Sequence, residues 1–108
     1  MDPVQATNMD LVGLLKSHFE RCWAAGVDTW DPPNMVARLN SVSTTIVVTG
    51  ALVGDPAAAS LTTIGANDVL ISAHVQAANT VRVVILNLTA GALDIASGTL
   101  TAVVRVRY

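Results

Sequence analysis

The residues best spaced for joint chemistry are His18 and Cys22, which lie four positions apart. On a helix this spacing puts both side chains on one face, where an imidazole could deprotonate a thiol or the pair could share a metal ion. Both residues, however, fall inside an apolar stripe, and a cysteine among apolar neighbours behaves as a small hydrophobic residue. The pattern therefore favours a structural role for the pair.

The other polar candidates occur singly. His74 shares the more polar face of a predicted strand with Ser72, which suits a surface or interface position. Asp55, Asp68 and Asp94 occupy turn contexts, where an aspartate commonly bonds its own backbone. Nothing here assembles a reaction, so the sequence predicts no enzyme, no cofactor and no metal site.

The elements that position these residues are mostly strands, because apolar and polar residues alternate along much of 67–107. Residues 80–88 differ because they are apolar on both faces. A strand of this kind needs cover on both sides, and it is predicted to be the centre of the fold. One of its faces carries Val81, Val83 and Ile85, and the other carries Val84, Leu86 and Leu88.

Turn signals divide the chain after residue 34 into five or six short strands, which predicts an antiparallel β-sandwich, jelly-roll-like, or a small barrel. The predicted fold class is mainly β with one N-terminal α-helix. Residues 1–34 are assigned to an arm, the helix and a Pro-rich connector, and residues 35–108 to the β-sandwich domain. The predicted strands are 35–39, 44–49, 57–64, 69–75, 80–88 and 99–107.

The helix is predicted over residues 9–25, after an arm at 1–7 and before a stop at Gly26. Its apolar residues recur with helical period and face a polar side. Two interpretations of this stripe stay open: it packs on its own β-domain, or it is exchanged with neighbouring copies or joins their helices in a short bundle. The Pro32-Pro33 connector modestly favours exchange, and Trp30 is expected to fill the joint between helix and sheet. The stripe consists of Leu11, Leu14, Leu15, His18, Phe19, Cys22 and Trp23.

Composition limits the function further. The chain has 108 residues, 52% of them hydrophobic and 13% charged, with a formal net charge of −2. No basic block or long apolar run is present, so neither a nucleic-acid partner nor a membrane is expected. The start lacks the basic region of a signal peptide, which predicts a soluble protein made in a cytoplasm. Between Leu39 and Val81 the only formal charges are Asp55 and Asp68, so another chain is expected to cover much of that surface.

Short motifs spread over about two thirds of the chain, from Trp30 onwards, resemble a group of small tailed-bacteriophage virion proteins. The resemblance implies a β-rich fold, a tendency to trimerise, and a role as a capsid decoration (cement) protein or as a module of a fibre or spike. The matching landmarks are Trp30-Asp31-Pro32-Pro33, residues 43–50, Gly54-Asp55, VQAANTV at 75–81, NLTAG at 87–91 and LDIASGTL at 93–100.

The predicted function is therefore a decoration protein on the capsid surface of a virion, assembled in the bacterial cytoplasm. Its expected partners are its own copies, as a homotrimer or another cyclic state, and the major capsid protein. The arm and the helix are the segments expected to lie on the shell. The alternative is a fibre, collar or spike module, including one that binds a glycan. The residues predicted to form the oligomer or partner interface are Leu11, Leu15, Phe19, Trp23, Trp30, Val84, Leu86 and Leu88.

Overall fold

The computed structural model describes residues 23–106, and these residues form six strands joined by turns and short loops, with no helix among them. Accordingly, no helix in this region of the chain is long and apolar enough to cross a membrane. The prediction of a mainly β fold is confirmed. The strands are β1 (Trp23–Trp30), β2 (Ser41–Val47), β3 (Ala57–Leu61), β4 (Val69–Ala77), β5 (Thr80–Asn87) and β6 (Gly98–Arg105).

The strands form two three-stranded sheets in which every pairing is antiparallel. One has the order β1-β6-β3 and is called the β6 sheet here; the other has the order β2-β5-β4 and is called the β5 sheet. The strand predicted to be the centre of the fold, β5, is the central strand of its sheet. Its registers place Val83 between Thr44 of β2 and Ala73 of β4.

Alternation along the strands gives each sheet a core-facing side and an outer side. On β5, Val81, Val83 and Ile85 are fully buried, whereas the outward residues between them are half-buried or exposed. On β6, alternate residues from Leu100 to Val104 are buried in the same way. Side chains from both sheets belong to one hydrophobic cluster, which also takes in Met35 and Ile95 from the connecting loops.

The turn between β4 and β5 is built around Asn79. Asn79 adopts a left-handed backbone conformation, with φ of 62°, in the turn between β4 and β5. Its Oδ1 accepts a hydrogen bond of 2.7 Å from the Gly50 amide, and its own amide donates to Ala51 O at 2.8 Å. Asparagine tolerates this conformation better than most residues. The turn therefore also holds the loop that follows β2.

The predicted helix is wrong at its C-terminal end. Trp23 to Ala25 lie in β1, and the rest of the predicted helix lies outside the described residues. All eight residues of β1 pair with β6, and this pairing outweighs the helix propensity of the two alanines. Gly26, interpreted as the helix stop, lies inside the strand. The sheet consequently begins well before residue 35, the predicted start of the β domain.

Residues 35–39 do not form the predicted strand. Met35 makes only an isolated bridge with Leu93, and Leu39 has a φ of 67°, outside strand conformation. The physical reason is a turn in which the Ala37 amide donates to the Asn40 side chain at 2.9 Å. The other five predicted strands are present with ends shifted by up to three residues.

Candidate interaction surface

The outer side of the β5 sheet carries a strip of leucine and valine, called the β5 strip here. Leu86 lies directly across from Leu70, and Val84 is the next outward residue on β5. Leu70 is 55% exposed, and Val84 and Leu86 are half-buried. Leu88 continues the alternation just past the strand and is also half-buried. These four residues form the β5 strip.

Charge is nearly absent from this outer side. Arg82 is its one Lys, Arg, Asp or Glu within the paired registers, and it lies opposite His74 on β4. The Arg82 Nη2 atom donates to the Ser43 Oγ atom at 3.2 Å, which directs the guanidinium along the sheet towards β2. The outer side is thus apolar at the Leu70–Leu86 pair and basic at the Arg82–His74 pair, farther along the same two strands.

The outer side of the β6 sheet is the second candidate surface. A shallow groove of about 160 Å³ lies there, lined by Ala58, Ala59, Ser60, Thr101 and Val103. Beside this groove, β1 presents Val27, which is 67% exposed, in register with Thr101. The groove is shallow because the residues that line it are small.

The interface residues predicted from the sequence are divided among different places. Val84, Leu86 and Leu88 lie together in the β5 strip. Trp23 lies at the end of the outer side of the β6 sheet, opposite Arg105. Trp30 lies on the core-facing side of β1 and packs, partly buried, against the hydrophobic core. Leu11, Leu15 and Phe19 lie outside the described residues.

Trp30 therefore does not join the surface that holds Trp23. Its side chain packs against the hydrophobic core at the end of β1, and the joint that it was expected to fill, between helix and sheet, lies partly outside the described residues. Leu70 is a member of the β5 strip that sequence reasoning did not select. Period-two alternation puts Leu70 on the same face as Ser72 and His74, but only the register shows that it meets Leu86.

The polar candidates do not converge. No group of three or more His, Cys, Asp or Glu residues able to hold a metal ion occurs within residues 23–106. His74, Asp68 and Asp94 are exposed, each in a different element or loop. Asp55 is buried in the loop after β2, where its Oδ2 accepts a hydrogen bond of 3.0 Å from the Leu52 amide. For Asp55 the predicted turn-building role is confirmed. His18 and Cys22 lie outside the described residues.

Asn87 is the residue whose importance the sequence did not reveal. It is completely buried, and its Nδ2 atom donates to Ala37 O at 3.0 Å and to Gly91 O at 2.8 Å. Its Oδ1 accepts from the Thr89 amide at 2.9 Å and from Thr89 Oγ1 at 2.6 Å. Both amide hydrogens are therefore used inside the fold. Asn87-Leu88-Thr89 matches the N-glycosylation pattern, but in the folded protein the Asn87 amide is not accessible.

Comparisons with known protein families, with curated proteins and with solved structures found no significant match for the chain. Two outer sides with few charges, and no convergent reactive groups within residues 23–106, are suited to contact with other protein surfaces.

Proposed function

We propose that the protein is a structural component of a bacteriophage virion, a capsid decoration protein that binds the shell as a homotrimer. In this proposal the two sheets form a jelly-roll-like β-sandwich, and an N-terminal helix precedes β1. The observation that carries the proposal is the β5 strip. It is a group of adjacent apolar side chains on the outer side of the β5 sheet.

The strip is suited to contact between copies because of its chemistry. Within the paired registers of the β5 sheet, the outer side has one formal charge, Arg82, and it lies away from the Leu70–Leu86 pair. A partner surface therefore loses little charge hydration when it covers this side. Burying apolar area contributes about 25 cal/mol per Å², and a stable interface buries about 800 Å² on each partner.

Decoration of a shell adds a second requirement, which is simultaneous attachment of the assembled copies. Three modest contacts on one rigid trimer act together, so the trimer binds much more tightly than one copy. The arm at residues 1–7 is the segment proposed to reach the shell, because a segment that orders on binding can cross a subunit boundary. The major capsid protein is the proposed partner.

A glycan-binding fibre module is the weaker alternative. Sugar sites commonly stack a pyranose ring on an exposed aromatic side chain. Of the two tryptophans in residues 23–106, Trp30 is packed against the core and Trp23 is 47% exposed. A single half-exposed ring gives less support than the β5 strip does.

We expect Leu70→Arg to shift the protein from oligomer towards monomer, because it places a charge in the proposed contact, directly across from Leu86. Sedimentation velocity at micromolar concentration measures the change. Leu52→Arg is the matched control, because Leu52 is 54% exposed in the loop after β2, close to the 55% of Leu70. A monomeric parent protein, or equal effects of the two changes, would rule out the β5 strip as the contact.

Purified protein added to phage particles that lack it should cover the capsid faces in a regular array. Cryo-electron microscopy measures where the copies lie. Decorated particles should also release their DNA at a higher temperature than bare ones, because each trimer links neighbouring subunits. Bare capsid faces with a few copies at the tail or at fibre ends would replace the decoration role by the fibre alternative.

A further inference from the structure

The groove lies on the outer side of the β6 sheet, whereas the β5 strip lies on the other sheet. A partner that covers the β5 strip therefore leaves the groove open to a second contact. In the middle of this sheet, Val27 of β1 and Ser60 of β3 both pair with Thr101 of β6. Among the paired residues of this sheet, the outer side carries one charged residue, Arg105, which lies at the end of β6. The middle of this side is uncharged, and Val27 is 67% exposed there.

The chain itself supplies a segment of matching length and chemistry. Twenty-two residues precede β1, and they join it at Trp23, at the Arg105 end of this same outer side. The apolar residues of that segment recur with helical spacing, as at Leu11, Leu15 and Phe19. A helix over residues 8–22 would be about 22 Å long at 1.5 Å per residue. The eight residues of β6 extend about 26 Å at 3.3 Å per residue.

The sequence before β1 decides which copy the segment can cover. To lie on the sheet of its own chain, the segment would have to reverse direction just before Trp23. Tight reversals favour Gly, Pro, Asn or Asp, and residues 14–25 contain none of these four. A chain that continues outwards from β1 instead reaches the sheet of a neighbour. In that arrangement, the β6 sheet of one copy contacts the segment before β1 of a neighbour, whereas its β5 sheet contacts another surface.

We propose that residues 8–22 of one copy dock, through their apolar stripe, on the outer side of the β6 sheet of a neighbouring copy. The groove at Ala58 and Ser60 receives a large side chain of the stripe, and Val27 packs beside it. This inference rests on the oligomer of the proposed function, not on attachment to a shell. Repeated around a ring, the exchange links each copy to the next.

The test uses the full chain with the photoreactive residue p-benzoylphenylalanine placed at Leu15. Unlabelled protein and ¹⁵N-labelled protein are mixed, incubated to exchange subunits and irradiated, and the joined peptides are identified by mass spectrometry. We expect unlabelled-to-labelled crosslinks from position 15 to residues 57–61 or 99–105. The same photoreactive residue at Ser17, on the polar side of the predicted helix, should give a severalfold lower yield at those sites.

A second variant tests the groove itself. Ala58→Glu puts a carboxylate in the groove and should lower the crosslink yield severalfold, whereas Ala90→Glu, at an exposed loop position, should not. Crosslinks within one copy would overturn the exchange. Crosslinks to the β5 sheet, or a yield no higher than from Ser17, would overturn the docking surface. Because no shell is present, these outcomes are independent of whether the protein decorates capsids.

Discussion

Replacing Asn87 with alanine is expected to lower the free energy of unfolding by about 3 kcal/mol. The change removes four side-chain hydrogen bonds, two to the carbonyl groups of Ala37 and Gly91 and two from Thr89. A buried hydrogen bond contributes about 1 kcal/mol net, and a polar group left unpaired costs more. For a domain whose total stability is about 5–15 kcal/mol, the loss is large.

Urea denaturation followed by circular dichroism measures this loss. Asn67→Ala is the control, because Asn67 is exposed and its side chain makes one hydrogen bond, from Nδ2 to Ile64 O at 2.8 Å. The Asn67→Ala change should lower the free energy of unfolding by less than about 1 kcal/mol. Asn87→Asp keeps the shape but loses both Nδ2 donors and buries a charge, so it should be at least as damaging as the alanine. Similar midpoints for Asn87→Ala and Asn67→Ala would contradict the role given to this side chain.

Gly26→Ala should destabilise the protein by about 2–3 kcal/mol, the upper end of the range for overpacking. Gly26 lies on the core-facing side of β1, where that strand passes the end of β2. A Cβ atom there would overlap the carbonyl oxygen of Val47 and lie 3.1 Å from Val48 Cγ2. Val48 is fully buried, so neither neighbour can give way easily. The added methyl group must push β1 away from β2.

Thermal unfolding of Gly26→Ala and of Gly91→Ala provides the comparison. A Cβ at Gly91 would meet no atom within 4 Å. That variant should therefore differ from the parent by no more than about 0.5 kcal/mol. If both variants unfold at the same temperature, the close approach of β1 to Val47 is absent in solution.

The sequence predicted β4 and β5 well because large apolar residues carry their alternation. It missed β1, where Ala24, Ala25 and Gly26 have too little side chain to show a period. The helical spacing that begins at Leu11 also continues by coincidence as far as Trp23. What makes residues 23–30 a strand is pairing with β6, far along the chain, and no local pattern contains that information.

The candidate surface, too, could be predicted only in part from the sequence. The outward side of β5, with Val84 and Leu86, was readable because both faces of that strand are apolar. That Leu70 completes the strip depends on register, which sequence periodicity alone does not fix. The sequence interpretation gave Asn87 no structural role, although alternation places it on the core-facing side of β5 with Val83 and Ile85. Its partners Ala37 and Gly91 come from two different loops, so the network is visible only in the folded chain.

The position of β6 has a consequence for the order in which the protein folds during synthesis. β6 lies between β1 and β3, yet it follows both in the chain, and Trp30 pairs with Gly98, 68 positions later. Until residues 98–105 leave the ribosome, β1 and β3 have no hydrogen-bonding partner between them. Contacts so distant in sequence also slow folding, because a long loop must close before they form. The β5 sheet, built from β2, β4 and β5, can form earlier, so a nascent chain would expose the unfinished half of its core to chaperones.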